Sequence, residues 1–175
     1  MSLSLCWLDR ERDAELYRGE RRLRFEILRR PLGMPEGSEE NAAEARCSHC
    51  VAVLDGEVVG CVLWLPDADD ASGQPGSAGP SGVGRAGKLL QMAVAETLQG
   101  QGVGARLVRE LEAMARAQGF ERVRMHARAS AVGFYAKLGY AVTGEPFSEV
   151  GIPHRLMERV LQISDGARAT PDTPR

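Results

Sequence analysis

The sequence predicts a mixed α/β sheet in a single domain, and three observations predict it. Strand-like runs stand before, between and after helical ones. Residues 89–118 read as a buried strand, a glycine loop and an amphipathic helix. Asp55-Gly56 places a tight turn between two Val-rich runs, which makes a hairpin.

The elements follow in chain order. Residues 3–8 suit a first strand. Asp13 stands where a cap would, before a helix predicted from Ala14 to about Arg30. Leu16, Leu23, Phe25, Ile27 and Leu28 give this helix its apolar positions. Glu20/Arg24 and Glu26/Arg30 are i, i+4 pairs, read as a solvated face laced with ion pairs rather than a basic patch. Pro31 stops the helix and a loop follows; residues 39–46 suit a short helix or plain loop. Residues 48–54 and 58–65 are the hairpin strands. Residues 67–87 are rich in Gly, Ser, Ala, Pro and Asp, the composition of a surface loop.

The central strand is Leu89-Leu90-Gln91-Met92-Ala93-Val94, apolar enough to be covered on both faces. After the glycine loop, Val103, Leu107, Val108, Leu111, Met114 and Ala115 recur at helical spacing. Arg106, Arg109, Glu110 and Glu112 fall mostly on the other side. Gly119 closes the helix. Residues 123–127 form a short strand and 130–138 a short helix stopped by Gly139. A strand starts at Tyr140, residues 145–153 are a connection, and 154–161 are a last strand. Residues 1–163 thus form the domain, and 164–175 are an aperiodic tail.

Composition excludes several classes. With 43% hydrophobic and 26% charged residues, the chain can build an ordinary globular core. A net charge of -2 gives no reason to expect nucleic acid or an anionic membrane as partner. No apolar run approaches the roughly 20 residues of a membrane span. The amino terminus lacks the basic start and apolar middle of a signal peptide, which predicts a cytoplasmic protein. Cys47-Ser48-His49-Cys50 has metal-like spacing, but the second Cys/His pair of a zinc site is missing, so no metal is expected. Cys50 and Cys61 sit in strand-like runs as small buried thiols.

Glycines at the head of a helix leave its first N–H groups open to an anion, and the helix dipole favours negative charge there. The stretch Gln99 to Ala105 is therefore read as a phosphate or pyrophosphate grip. It is no Walker loop, because Ala105-Arg106 stands where Lys-Ser/Thr is needed. Gly100-x-Gly102-x-x-Ala105 nominally fits a dinucleotide fingerprint. Against that, 95–99 intervene after the strand, and His126, Ala127 and Arg128 stand where an acidic residue is wanted.

A third pattern, Gln-x-x-Gly-x-Gly, is met by Gln99, Gly102 and Gly104. Here the chain resembles the GNAT N-acetyltransferases, and Phe134-Tyr135-Ala136-Lys137-Leu138-Gly139-Tyr140 resembles a second segment of that family in the same order and at a similar separation. Residues 125–128 and 147–154 are similar to the ElaA-like branch, which often has His at the position of Ser130 and Gln at that of Arg128. The resemblance implies the GNAT (acyl-CoA N-acyltransferase) fold, a mixed, mostly antiparallel sheet flanked by helices and splayed at its central strands. It implies acetyl-CoA as co-substrate, and direct transfer of acetyl to a primary amine on a small molecule or peptide. By the same resemblance Gln99, Gly100, Gln101, Gly102, Val103, Gly104 and Ala105 hold the pyrophosphate, and Met92, Ala93 and Val94 meet the pantetheine arm. Ser130 and Phe134 border the cofactor, and Tyr135 is the general acid. A homodimer is a common arrangement in the family.

Tyr135 has an alternative role, packing the short helix only. For the general base His154, Glu149, His126, Glu96 and His49 are all chemically able. His154 is preferred because Gly151-Ile152-Pro153 would present it beside the acceptor cleft; its alternative is to satisfy backbone groups at a strand start. His126 and His49 read as structural. Another function class also fits: a module that binds or senses acyl-CoA without turnover.

Overall fold

The computed structural model describes residues 2–40, 42–66 and 85–162, so the 67–84 part of the low-complexity stretch and the tail lie outside the described residues. Seven strands form one sheet: β1 (Leu3–Trp7), β2 (Ser48–Leu54), β3 (Glu57–Leu65), β4 (Ala86–Val94), β5 (Arg122–Arg128), β6 (Ala141–Glu149) and β7 (Ile152–Val160). Their order is β1-β2-β3-β4-β5-β7-β6. Every pairing is antiparallel except β4 with β5. Asp55 and Gly56 both take positive φ, 50° and 87°, which is the hairpin turn the sequence signalled.

Helix α2 (Val103–Ala117) covers one face of the sheet. Its Val103, Leu107, Val108, Leu111 and Ala115 join Trp64, Leu89, Val123 and Met125 in the main core. Gly119 ends it at φ 77°, and the N–H of Phe120 returns to the carbonyl of Ala115. Glu112 departs from the outward face expected of it: it is 2% exposed, accepts from the Tyr140 hydroxyl at 3.0 Å and pairs with Arg159 at 2.8 Å. Burial is sustained because both oxygens of that carboxylate accept hydrogen bonds, from Tyr140 and Arg159. The short α3 (Val132–Lys137) follows β5.

The opposite face is covered by α1 (Ala14–Arg24), which continues as a π-helical turn, Phe25–Arg29. Leu23, Ile27 and Leu28 pack on Val51, Cys61 and Ala93. The Glu20/Arg24 pair is not solvated as expected. Both residues are fully buried, and Arg24 also reaches Glu44 at 2.5 Å and Gln91 at 2.9 Å. Glu20 in turn holds His49 Nδ1 at 2.9 Å, and the Arg10 guanidinium meets His49 Nε2 at 3.0 Å. His49 is therefore tied into this network.

Two boundaries differ from expectation. β4 starts at Ala86 rather than Leu89, and residues 145–153 are not a connection but the end of β6, a two-residue turn and the start of β7. That turn is Val150-Gly151, with φ of 48° and 76°. A β-branched residue rarely adopts this conformation, so the sequence carried no turn signal.

Candidate active site

β4 makes the site by two departures from a regular strand. First, Gln91 and Met92 together face Val62 of β3, because Ala93 pairs with Cys61 and Leu90 with Leu63. This is a β-bulge, and Gln91 sits at φ 43° within it. The bulge shifts the side-chain alternation by one: Leu89 faces the α2 core, while Ala93 faces the α1 side. The Arg24 guanidinium holds the Gln91 side chain in place. Second, β4 and β5 pair only through Ala86, Gly87 and Lys88 with Arg122, Val123 and Arg124. Beyond Lys88 the two strands part. Their facing backbone groups are left to something else.

The glycine loop lies at the far end of β4. Gln99 donates from its side-chain amide to the Val94 carbonyl at 3.0 Å, tying the loop to the strand end. Gly100 and Gly102 take φ of 74° and 84°, and Gly102 precedes the first residue of α2. The first amide to close onto the helix is Arg106, at 3.0 Å from the Gly102 carbonyl, so those of Val103, Gly104 and Ala105 point out of the helix mouth. Gly104 packs closely: a Cβ there would lie 3.2 Å from Phe134 Cζ and 3.6 Å from Met92 Cε. Residues 99–102 are exposed. Ser130 is also exposed, in the turn Ala129–Ala131 that leads into α3.

Between β4 and β5 opens a cleft of about 500 Å³, walled by Gln91, Met92, His126, Arg128, Tyr135 and His154 among others. That volume suits a small-molecule site. Of the sequence-derived site residues, Met92, Tyr135 and His154 line it directly. Tyr135 is 6% exposed and its hydroxyl approaches Met92 Sδ at 3.9 Å. Burial pushes its phenol above the ordinary range, so it holds its proton at neutral pH. His154 is 5% exposed, and its Nδ1 lies 3.0 Å from the Ile152 carbonyl. A carbonyl only accepts, so Nδ1 carries a proton, and in the neutral ring Nε2 is the basic nitrogen.

Other cleft residues were missed or assigned elsewhere. β5 alternates, with Val123, Met125 and Ala127 toward α2 and Arg122, Arg124, His126 and Arg128 toward the α1 face. His126, read as structural, therefore stands on the cleft wall. Its Nδ1 lies 2.6 Å from Glu149, and Lys88 Nζ lies 3.1 Å from its Nε2. The hydrogen bond from His126, working against partial burial, holds the Glu149 carboxyl below its usual range. Both ring nitrogens of His126 are thus engaged, one by Glu149 and the other by Lys88. Arg29 and Lys88 also line the cleft. Nothing local in the sequence marks them, because the strand parting and the π-turn that bring them in are tertiary features.

The splayed sheet, the bulge and the glycine loop at a helix mouth define an acyltransferase-type fold. The family model for the Acetyltransferase (GNAT) family matches residues 14–140, and the chain belongs to that family. The chain is 36% identical over 78 residues to the uncharacterized N-acetyltransferase YitI of Bacillus subtilis (strain 168), a stretch covering 44% of this chain and 52% of YitI. It spans about half the length of the curated Bacillus relatives it matches. Among solved structures, Escherichia coli ElaA superposes with a TM-score of 0.65 at 22% identity, covering 90% of this chain and 99% of ElaA. An aminoglycoside 6'-N-acetyltransferase complexed with coenzyme A gives 0.67 at 19%, covering 93% of this chain and 98% of that one. At these identities the likeness to both structures is one of fold. Among the described residues, no helix is long and apolar enough to cross a membrane.

Proposed function

We propose that this chain transfers an acetyl group from acetyl-CoA to a primary amine by direct attack of the amine on the thioester. The observation that carries the proposal is the open mouth of α2 set beside the slot where β4 and β5 part. A diphosphate fits the amides of Val103, Gly104 and Ala105, which no helical carbonyl takes up, beside the exposed loop of residues 99–102. An amide-bearing arm fits the unpaired edge of β4 over Met92, Ala93 and Val94, as an added strand would. A neighbour of like fold is complexed with coenzyme A, which supports coenzyme A as the carrier. When bound, the thioester supplies an activated acetyl group and a thiolate leaving group.

The protein's own groups then divide the work. A backbone N–H of the bulged strand polarises the thioester carbonyl. The Nε2 lone pair of His154 takes a proton from the acceptor's ammonium and so frees the amine that attacks, while Nδ1 is anchored on Ile152. The Tyr135 hydroxyl, kept protonated by burial, gives a proton to the departing thiolate.

The test is a panel of amines incubated with acetyl-CoA, read by release of free thiol and by product mass. Thiol release that depends on an amine, with a product 42 Da heavier as an acetyl group requires, is the expected result. Thermal protection by coenzyme A with no thiol released from acetyl-CoA in the presence of any amine would make the chain a binding or sensing module instead.

A further inference from the structure

Two of the cations that line the cleft share one neutral partner. Arg128 donates from Nη2 to the Leu28 carbonyl at 2.7 Å, and Arg29 reaches the same oxygen from Nη1 at 3.4 Å. Arg29 also donates from Nε to the Ser38 carbonyl at 3.0 Å. Both side chains are half-buried and both line the cleft. Among the described residues neither is hydrogen-bonded to a carboxylate. The carboxylates whose fields reach Arg29 are Glu149 and, more weakly, Glu39; the first is hydrogen-bonded to His126 and the second to Arg21. Burial first, and then the neighbouring Arg29 charge, hold the Arg128 guanidinium below its ordinary value. Both guanidiniums nevertheless stay charged at any physiological pH. Two half-buried charges of one sign converging on a single carbonyl are an arrangement that an anion would relieve.

The position of this pair specifies more. Arg128 and His154 are register partners across β5 and β7, so their side chains leave the same face from Cβ atoms about 5 Å apart. An anion held by Arg128 therefore sits next to the group assigned above to deprotonate the amine.

The geometry points to an amino acid as the acceptor: a primary amine with a carboxylate one or two carbons away, the carboxylate held by Arg128 and Arg29 and the amine turned to His154. This rests on the acetyl-transfer reading of the cleft. The carboxylate is matched by the planar fork of Arg128, which offers two parallel N–H groups. A carboxamide of the same shape brings its own N–H donors against these cations and gains little.

The experiment compares the free amino acids with their carboxamides as matched pairs, on the wild-type protein, so that no variant has to fold. With acetyl-CoA present, kcat/KM for the acids should exceed that for the carboxamides by roughly tenfold to a hundredfold. Arg128→Gln should pull that ratio toward one with the KM for acetyl-CoA little changed. Equal rates for acids and carboxamides would overturn the amino acid assignment and leave acetyl transfer intact. A loss of affinity for acetyl-CoA in Arg128→Gln with the ratio kept would also overturn it, by placing the arginine on the thioester side. If no amine is turned over, the transfer reading falls by itself. The assignment then rests on thermal stability in the presence of coenzyme A: amino acids raise the melting temperature and carboxamides do not if it is right, and the two behave alike if it is wrong.

Discussion

At the scale of single residues, Tyr135 carries the sharpest expectation. Its ring packs edge-on to Phe134 and Tyr140 at centroid separations of 4.9 and 5.9 Å, and all of that packing survives loss of the hydroxyl. Tyr135→Phe should therefore stay within about 1 kcal/mol of wild-type stability, since among the described residues the hydroxyl has only a long, weak contact to Met92. Turnover should fall by roughly tenfold to a thousandfold while coenzyme A affinity is kept. Unchanged turnover would reduce Tyr135 to packing. His154→Ala should likewise abolish the acidic limb of the pH–rate profile; a profile of unaltered shape would remove His154 from the base role.

At the scale of elements, the helix mouth depends on a conformation rather than on a side chain. Gly102 stands at φ 84° immediately before α2, with nothing within 4 Å of where a Cβ would be. A β-branched residue there meets no clash but carries the left-handed penalty, about 1–2 kcal/mol. Gly102→Val should rotate the loop out of that conformation, so coenzyme A affinity should drop at least tenfold while helical circular dichroism is unchanged; wild-type affinity would show that the loop does not grip the diphosphate. The elements also show what a sequence carries and what it does not. The Asp55-Gly56 hairpin and α2 were legible because turn chemistry and apolar period are local. The bulge at Gln91 was not, since it is forced by pairing with β3 and by Arg24 behind it. β6 was read largely as a connection because its residues are mostly exposed, leaving no apolar alternation to find. The glycine loop and Tyr135 were found through patterned motifs, whereas Arg29, Lys88 and Arg128 reach the cleft only once the strands part.

At the scale of the whole molecule, one buried polar cluster joins four separate parts of the chain. Arg24 of α1 binds Glu44 from the segment before β2 and Gln91 from β4, while Glu20 binds His49 from β2. An i, i+4 Glu/Arg pair looks the same in a sequence whether it meets water or the interior, and this is why its burial was missed. Cutting the cluster leaves carboxylates without their cation in a dry place. Arg24→Ala should cost roughly 3–5 kcal/mol by denaturant titration. Arg24→Met, which fills similar volume, should still take the guanidinium away from Glu44 and Gln91 and cost more than a surface change. A loss below about 1 kcal/mol for Arg24→Ala would mean that water satisfies the cluster.

The contact of β4 with β5 through three residue pairs makes the sheet a folio of two leaves stitched at one corner. Four strands lie on one leaf and three on the other, and Glu112 of the helix on the first leaf reaches across the spine to Tyr140 and to Arg159 of β7. A molecule that slides between the leaves becomes an eighth rung and inherits a ladder the chain leaves unfinished. Occupancy and rigidity are then one event: the guest mends the fabric that receives it, and its departure loosens the weave along the same line.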